Sequence, residues 1–186
     1  MRSLSVDVPQ RMRVLEKDPR GYPVPYIVLR DKLRQPMFTI NDVRRTTECR
    51  TKRLCSICGR RLGDYLWFVG GSRCFIHDLG AFIDPPVHYE CGIYALQVCP
   101  FLAAASYSKR IEDKKLLPQN RPDHMRLVPI DYMEPNLPES FGFGATKFAG
   151  FANNVYVVPR WDYVEWWHDG KPSNAPSADD VRRLTA

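Results

Sequence analysis

The sequence predicts an α+β fold organised around one four-ligand metal site, and three observations lead to that prediction. A Cys-x-x-Cys-Gly knuckle occupies residues 55–59. An apolar segment interrupted by Gly70 and Gly71 follows, and His88 and Cys91 then open a segment with helical periodicity. A knuckle, a β-hairpin and a helix in this order predict a treble-clef-like zinc core, because two such ligand pairs complete a tetrahedral site. Additional short strands and a C-terminal hairpin plus helix complete the predicted architecture.

Two short strands and a basic helix are predicted before the knuckle. Residues 24–29 and 37–40 are short runs of β-forming residues. Asn41 is the predicted N-cap of a helix that reaches about Thr51, with Asp42 in its first turn.

A hairpin and a second helix are predicted around the ligand pairs. Residues 65–69 and 73–76 have the composition of strands, and the two glycines between them indicate a tight turn. An Asp-Pro-Pro sequence at residues 84–86 predicts an extended break. Residues 88–98 then carry apolar side chains at helical spacing, so Cys91 lies in the first turn of the predicted helix.

Beyond the first two helices, the sequence predicts a strand at residues 127–130 and a loop at residues 135–144. The loop is predicted because this segment holds two prolines and two glycines. Residues 148–151 and 155–158 are predicted to be the two strands of a hairpin.

Two helices are predicted at the end of the chain. Residues 162–168 form a short aromatic helix that Gly170 ends. Ser177 caps a last helical turn that runs through Val181 and Leu184. We found no internal repeat and no low-complexity tract that would favour another architecture.

Length and composition fit a folded intracellular protein. The 186 residues are 44% hydrophobic, which is enough for a buried core. No apolar run reaches the roughly 18 residues of a membrane helix, and polar residues rather than a signal segment follow Arg2. We therefore expect a cytoplasmic protein whose six cysteines are metal ligands or free thiols rather than disulfides.

Charge and polarity suggest how the chain is divided. Residues 1–61 contain 15 Lys and Arg against 6 Asp and Glu, a balance of +9, whereas residues 62–186 contain 12 against 15, a balance of −3. Residues 1–20 are predicted to be a flexible basic arm. A zinc-centred domain at 21–108 and a C-terminal α+β section at 109–186, packed on it, complete the division, because residues 109–123 have the polar composition of a connection.

Six side chains could supply the metal ligands, and they allow two quartets. One is Cys55, Cys58, His88 and Cys91, with 29 residues between the pairs. The other replaces the second pair by Cys74 and His77, which would make a zinc ribbon. We favour the first quartet, because a ligand pair in the first turn of a helix faces one direction and the helix N-terminus stabilises a thiolate.

A complete quartet of protein ligands leaves no coordination position for water. The predicted Zn²⁺ is therefore structural and activates no nucleophile. Cys74, Cys99 and Cys49 remain outside the favoured quartet. Of these, Cys49 lies in the basic helix and is the candidate for a reactive thiol.

A cluster of basic residues next to the knuckle predicts a non-enzymatic module that binds nucleic acid or a host protein. Between residues 44 and 61 there are seven basic side chains and one acidic side chain, Glu48. Such cations could neutralise phosphates, although a solvated basic helix has the same composition. The candidate nucleic-acid-binding residues are Arg44, Arg45, Arg50, Lys52, Arg53, Arg60 and Arg61.

Two other functions are compatible with the sequence. His77 and Asp78 follow a predicted strand, as the general base does in metal-dependent nucleases of the His-Me finger (HNH-like) type, but no second histidine accompanies them. Alternatively, the cluster of Trp161, Trp166 and Trp167 could serve an inhibitor or scaffold that binds protein, since tryptophan is frequent at binding hot spots. Closing a small core explains such a cluster equally well. No serine–histidine–acid set, phosphate loop or paired carboxylate motif is present, so no catalytic residue is predicted.

Several segments of the chain resemble a family of uncharacterised bacterial and bacteriophage zinc-binding proteins. The resemblance rests on Leu54-Cys-Ser-Ile-Cys-Gly, on Asp84-Pro-Pro-Val-His-Tyr-Glu-Cys and on Cys99-Pro-Phe-Leu, with weaker similarity from about residue 20 to residue 183. It implies that Cys55, Cys58, His88 and Cys91 are the metal ligands, since His77 is not in the family pattern. It also implies a phage or prophage origin, and hence the host cytoplasm.

Overall fold

The structure is a computed structural model that describes residues 6–76, 80–99, 102, 141–152 and 154–185. These residues combine a few helices with several antiparallel sheets, which confirms the mixed α and β composition. After a 3-10 turn at Gln10–Met12, the helices are α1 (Val43–Lys52), α2 (Arg73–Ile76), α3 (Tyr89–Val98) and α4 (Ala178–Thr185). The strands are β1 (Val28–Arg30), β2 (Pro36–Asn41), β3 (Leu66–Gly71), β4 (Gly80–Phe82), β5 (Phe141–Thr146), β6 (Gly150–Ala152), β7 (Val155–Val158), β8 (Tyr163–His168) and β9 (Lys171–Ser173). No helix among the described residues is long and apolar enough to span a membrane.

The described residues form three sheets, all with antiparallel neighbours. Strands β1 and β2 make a two-stranded sheet, and β4, β7 and β6 make a three-stranded sheet in that order. The largest sheet has the order β3-β5-β8-β9. Because β3 precedes α3 and β5 follows residue 140, this sheet joins the segment around the knuckle to the C-terminal section.

Helix α3 packs on one face of the four-stranded sheet. Phe143 of β5 lies in the centre of this face and is 0% exposed. It lies against Gly92 of α3, and the ring of Tyr89 stacks on it with 5.6 Å between centroids. The Val87 N–H donates to the Trp67 carbonyl at 2.8 Å, which ties the chain before α3 to β3. The start of α3 is therefore fixed against the sheet.

The other face of the sheet is covered by aromatic rings that lie over glycines of β5. A Cβ atom added to Gly144 would meet the rings of Phe75 and Trp161 at 2.6 Å each. These two rings pack on each other with 4.5 Å between centroids. Glycine in β5 thus allows two large rings to approach the strand backbone closely.

The hairpin predicted at Gly70 and Gly71 is wrong. Strand β3 extends through both glycines and pairs with β5, while residues 73–76 form the short helix α2 instead of a second strand. Phe75 of α2 is buried over β5. A Cβ on Gly70 would lie 2.7 Å from the ring of Phe82, so close packing rather than a turn requires glycine there.

The aromatic helix predicted at residues 162–168 is also wrong. Tyr163–His168 is strand β8, which pairs with β5 and with β9. Asp169 and Gly170 have φ values of +45° and +71° and form the turn between β8 and β9, not a helix end. The loop predicted at residues 135–144 is corrected from residue 141 onwards, because Phe141–Thr146 is the central strand β5.

Other predicted elements are confirmed with small shifts. Helix α1 begins one residue later than predicted, since Asp42 and not Asn41 is its N-cap. The side chain of Asn41 instead donates to Asp84 Oδ1 at 2.6 Å. The helix from His88, the hairpin of β6 and β7, and the final helix α4 are all present. The strand predicted at 127–130 lies outside the described residues.

Candidate metal centre

The structure brings the favoured quartet together. The ligand atoms of Cys55, Cys58, His88 and Cys91 all lie within 4.8 Å of one another. The three cysteines are 0%, 6% and 0% exposed, and the imidazole is half-buried. Three thiols and one imidazole converge on one point, so these four residues could bind a metal ion.

The first ligand pair is held by the tight turn of the knuckle. The Cys55 N–H donates to the Arg60 carbonyl, and the Gly59 N–H donates to the Cys55 carbonyl, both at 2.8 Å. Gly59 has a φ of +71°, which is accessible to glycine at no steric cost. The sulfur of Cys55 accepts the N–H of Cys58 at 3.5 Å, so the turn itself directs a donor at a ligand atom.

The second ligand pair lies at the N-terminus of α3. His88 is the N-cap residue, in an extended conformation, and Cys91 follows in the first turn. The His88 N–H donates to the sulfur of Cys55 at 3.4 Å, and the Ser56 N–H donates to the Pro86 carbonyl at 3.2 Å. Backbone hydrogen bonds therefore align the two pairs.

A backbone carbonyl selects the tautomer of His88. The Nε2 atom lies 3.0 Å from the Arg61 carbonyl oxygen, which can only accept a hydrogen bond, so Nε2 carries the proton. The Nδ1 atom lies 3.3 Å from the sulfur of Cys58 and points into the cluster. A second partner of this kind commonly orients a metal-ligating histidine. No pattern in the sequence signals this partner, because any residue at position 61 supplies the same carbonyl.

Without a metal, the cluster shares its protons unevenly. Hydrogen bonds from Cys55 and Cys91 lower the pKa of Cys58, and the hydrogen bond to Cys55 raises the pKa of Cys91. Burial opposes protonation of His88, but hydrogen bonds with the Cys55 and Cys58 sulfurs outweigh it and raise the pKa of His88 to about 10. These hydrogen bonds thus favour the thiolate, the form that binds metal, at Cys58 and the protonated thiol at Cys91.

The remaining cysteines lie outside the cluster. Cys74 is half-buried on α2, and a Cβ added to Gly70 would lie 3.5 Å from the Cys74 Cβ. The alternative partner His77 lies outside the described residues. Cys49 is 1% exposed, and burial raises its pKa to about 12, so the prediction of a reactive thiol there is wrong.

Four of the seven candidate nucleic-acid-binding side chains are engaged within the protein. Arg45 donates to the Tyr26 carbonyl at 2.7 Å, and Arg50 donates to two carbonyl groups and lies over the ring of Phe151. Lys52 pairs with Glu48 at 2.7 Å. Arg53 donates to the Gly63 carbonyl at 3.0 Å. Arg45, Arg50 and Arg53 thus connect α1 and its C-cap to neighbouring segments, whereas the Lys52–Glu48 pair lies within α1.

The other three candidates are Arg44, Arg60 and Arg61. All three are exposed, and none of their side chains donates to an acceptor among the described residues. Arg60 and Arg61 directly follow the knuckle. Within the described part of the chain, these are therefore the cations of the predicted region that remain available to a partner.

The three C-terminal tryptophans contribute to the core of the described fold. Trp167 is 4% exposed, and Trp161 and Trp166 pack against the buried cluster. Trp161 contacts the rings of Phe68, Phe75 and Phe82. Packing accounts for the tryptophan cluster, and its use as a binding hot spot stays a prediction.

Comparison with known proteins assigns no function to this chain, so its function is inferred from the geometry of the site. The chain matches no protein-family model, no curated protein and no solved structure. The resemblance to bacterial and bacteriophage zinc-binding proteins therefore stays a prediction.

Proposed function

We propose that Cys55, Cys58, His88 and Cys91 hold a structural Zn²⁺ ion and that the protein is a binding module rather than an enzyme. The observation that carries this proposal is the convergence of four ligand atoms within 4.8 Å. Zn–S bonds of about 2.3 Å in a tetrahedron separate ligand atoms by roughly 3.8 Å, so little rearrangement is needed. Three thiolates and one imidazole also suit zinc better than magnesium or calcium, which prefer oxygen.

The position of the ligands supports a treble-clef-like core. One pair lies in a knuckle and the other at the start of a helix, as that arrangement requires. The strands between them differ from the simple pattern, because β3 pairs with β5 and β4 pairs with β7. We therefore propose a treble-clef-like centre whose hairpin strands have been incorporated into two larger sheets.

We propose nucleic acid as the partner of the basic region. Arg44, Arg60 and Arg61 support this proposal because their cations have no acceptor among the described residues. A metal-braced knuckle would hold Arg60 and Arg61 on a rigid support, and phosphate contacts need positive charge more than a particular sequence. The resemblance noted above supports a phage or prophage origin and a role in the host cytoplasm.

A mobility-shift titration tests the nucleic-acid proposal. Single-stranded and duplex oligonucleotides are titrated with the zinc-loaded protein at two salt concentrations. We expect binding that weakens steeply with salt. A triple substitution of Arg44, Arg60 and Arg61 to glutamine should reduce the salt slope by about one for each phosphate that the variant leaves without a cation.

A matched triple variant controls for net charge. Substitution of the exposed residues Lys17, Lys32 and Lys171 to glutamine removes the same charge elsewhere and should leave most binding intact. Equal losses of affinity in the two triple variants would show an unspecific charge effect. Absence of binding even at low salt would exclude nucleic acid and leave a host protein as the partner.

The nuclease hypothesis gains no support from the site. His88 would be a zinc ligand and would not act as a base, and His77 lies outside the described residues. We therefore do not propose hydrolysis.

A further inference from the structure

A groove lined by aromatic rings lies on the face of the four-stranded sheet against which the start of α3 packs. Its volume is about 370 Å³, and its lining consists of Tyr65, Trp67, Tyr89, Ala145, Asp162 and Tyr163. The three tyrosines are 44%, 44% and 52% exposed, so their rings are accessible from solvent. None of these residues belongs to the metal cluster or to the basic region.

The register of the sheet places two of the rings on either side of a small residue. Ala145 of β5 is the partner of Trp67 on β3 and of Tyr163 on β8. Side chains of residues that pair directly across a sheet lie on the same face. The Trp67 and Tyr163 rings meet edge-on with 5.8 Å between centroids, and Ala145 between the two strands is 1% exposed.

Packing behind the rings holds them in place. The centroids of Trp67 and Tyr89 lie 4.7 Å apart, and both rings contact the fully buried ring of Phe143. The walls of the groove are therefore formed before a ligand binds, which lowers the entropy that binding costs.

Two exposed cations lie beside the groove. The ammonium of Lys147 lies 4.9 Å from the centroid of Tyr65 and has no carboxylate partner among the described residues. The carbonyl of Arg61 lies 3.0 Å from Nε2 of His88, the residue that precedes Tyr89, so the chain holds Arg61 close to the Tyr89 end of the groove.

The single carboxylate of the lining already has partners. Asp162 accepts the backbone N–H of Lys147 at 3.0 Å and pairs with Arg160 at 3.5 Å. Glu165 lies outside the lining and accepts the Tyr163 hydroxyl at 3.5 Å, at the edge of that ring and not at its face. The groove therefore offers uncharged aromatic faces beside exposed cations.

We propose that this groove stacks a base of a single-stranded nucleic acid whose neighbouring phosphates contact Lys147 and Arg61. Aromatic faces next to cations suit a single strand, because every base has a π-face and every phosphate a negative charge. A base inside a duplex cannot enter such a groove, since its neighbours in the stack cover both of its faces. This inference rests on the nucleic-acid function proposed above and specifies its ligand as single-stranded.

Fluorescence anisotropy with the full chain tests the proposal on three probes of equal length. These are an oligothymidylate, its duplex with oligoadenylate, and an abasic strand that keeps the phosphates but has no bases. We expect the oligothymidylate to bind at least about fivefold more tightly than the abasic strand, because stacking of one base contributes that much or more.

The same titrations separate failure of this inference from failure of the proposed function. Equal affinities for the oligothymidylate and the abasic strand, or duplex binding as tight as that of the oligothymidylate, would overturn the inference and leave binding through phosphates standing. Absence of binding by all three probes at low salt would overturn the nucleic-acid function and this inference with it.

Substitutions locate the stacked base. Tyr163→Ala removes the most exposed ring of the groove and should weaken oligothymidylate binding about fivefold or more, with no change for the abasic strand. Tyr163→Phe keeps the aromatic face and should bind like the parent. Lys147→Gln should lower the salt slope for the single strand by about 0.7, the value for one phosphate contact.

A ring outside the groove provides the control. Phe148→Ala removes a side chain that is 72% exposed and should leave the affinity for oligothymidylate unchanged. Full affinity in Tyr163→Ala, or an equal loss in Phe148→Ala and Tyr163→Ala, would show that the base does not stack in this groove.

Discussion

At the scale of single residues, His88 is the side chain whose state is set most completely by its surroundings. One ring nitrogen faces the Arg61 carbonyl and the other faces the sulfur of Cys58. The ring therefore needs no flip to become a ligand, only the loss of the proton on Nδ1, because its pKa is raised to about 10. Since a backbone carbonyl provides the orientation, substitution of the Arg61 side chain should alter the nucleic-acid contact and leave the metal site intact.

Removal of one ligand should abolish metal binding and stable folding. Cys91→Ser replaces a thiolate that is fully buried among the other ligands, so we expect loss of stoichiometric zinc and a large fall in thermal stability. Metal analysis and thermal unfolding measure both effects. Cys74→Ser changes a half-buried cysteine outside the cluster and should retain its zinc; equal zinc loss in the two variants would contradict the assignment.

Gly59→Ala should destabilise the knuckle for two separate reasons. A residue other than glycine at a φ of +71° costs about 1–2 kcal/mol. The added Cβ would also lie 2.8 Å from Cδ2 of Tyr26, and such overpacking costs roughly 1–3 kcal/mol more. Denaturant unfolding of the zinc-loaded protein measures the sum.

Two other glycines separate these contributions to the free energy of unfolding. Gly21 has a φ of +89° but open space around its Cβ position, so Gly21→Ala reports the backbone cost alone. Gly63 has neither feature, and Gly63→Ala should be nearly neutral. An effect at Gly59 no larger than that at Gly21 would show that Tyr26 moves aside freely.

At the scale of secondary-structure elements, α1 depends on the residue that caps it. The Asp42 carboxylate accepts the N–H groups of Arg44 at 2.9 Å and Arg45 at 3.3 Å. Asp42→Ala should therefore cost about 1 kcal/mol in the free energy of unfolding, whereas Asp42→Ser, which can still cap, should cost less. Denaturant unfolding compares the two variants, and an equal cost for both would argue against capping as the cause.

The elements that could be predicted are those that local sequence determines. Helix α1 has a capping residue, and α3 has a periodic apolar pattern. The ligand spacing allows two quartets, and the position of His88 and Cys91 at the start of a helix favours the quartet that the structure brings together. The hairpin of β6 and β7 is likewise formed by neighbours in the sequence. These features follow from residues close together in the chain.

The predictions that were wrong concern elements whose pairing partners lie far away in the sequence. Strand β3 finds its partner far along the chain, in the pairing of Leu66 with Thr146 at one end and Gly71 with Phe141 at the other. Gly70 is glycine because the ring of Phe82 covers it, and not because the chain turns. Strand β8 carries aromatic residues that a short helix could also carry, and only pairing with β5 decides between them.

At the scale of the whole molecule, the metal would connect two parts of the fold. The knuckle contacts the segment of α1 and β1, and α3 packs on the sheet that includes the C-terminal strands. Structural zinc sites contribute about 10–16 kcal/mol in zinc-finger peptides, whereas a domain is stable by only about 5–15 kcal/mol. Folding of the described core should therefore depend on the metal.

Removal of the metal should unfold this core cooperatively. A strong chelator should abolish near-ultraviolet circular dichroism from the packed aromatic residues, and added Zn²⁺ should restore it. The same chelator should have little effect on Cys91→Ser, which already lacks the metal. Full retention of the aromatic signal in metal-free parent protein would show that the fold does not need the ion.

X-ray absorption at the zinc edge, measured on the purified protein, tests the central claim most directly. The account predicts a first shell of three sulfur atoms at about 2.3 Å and one nitrogen atom at about 2.0–2.1 Å, with no water ligand. A shell containing oxygen or only two sulfur atoms, or folded protein that carries no zinc to measure, would contradict it.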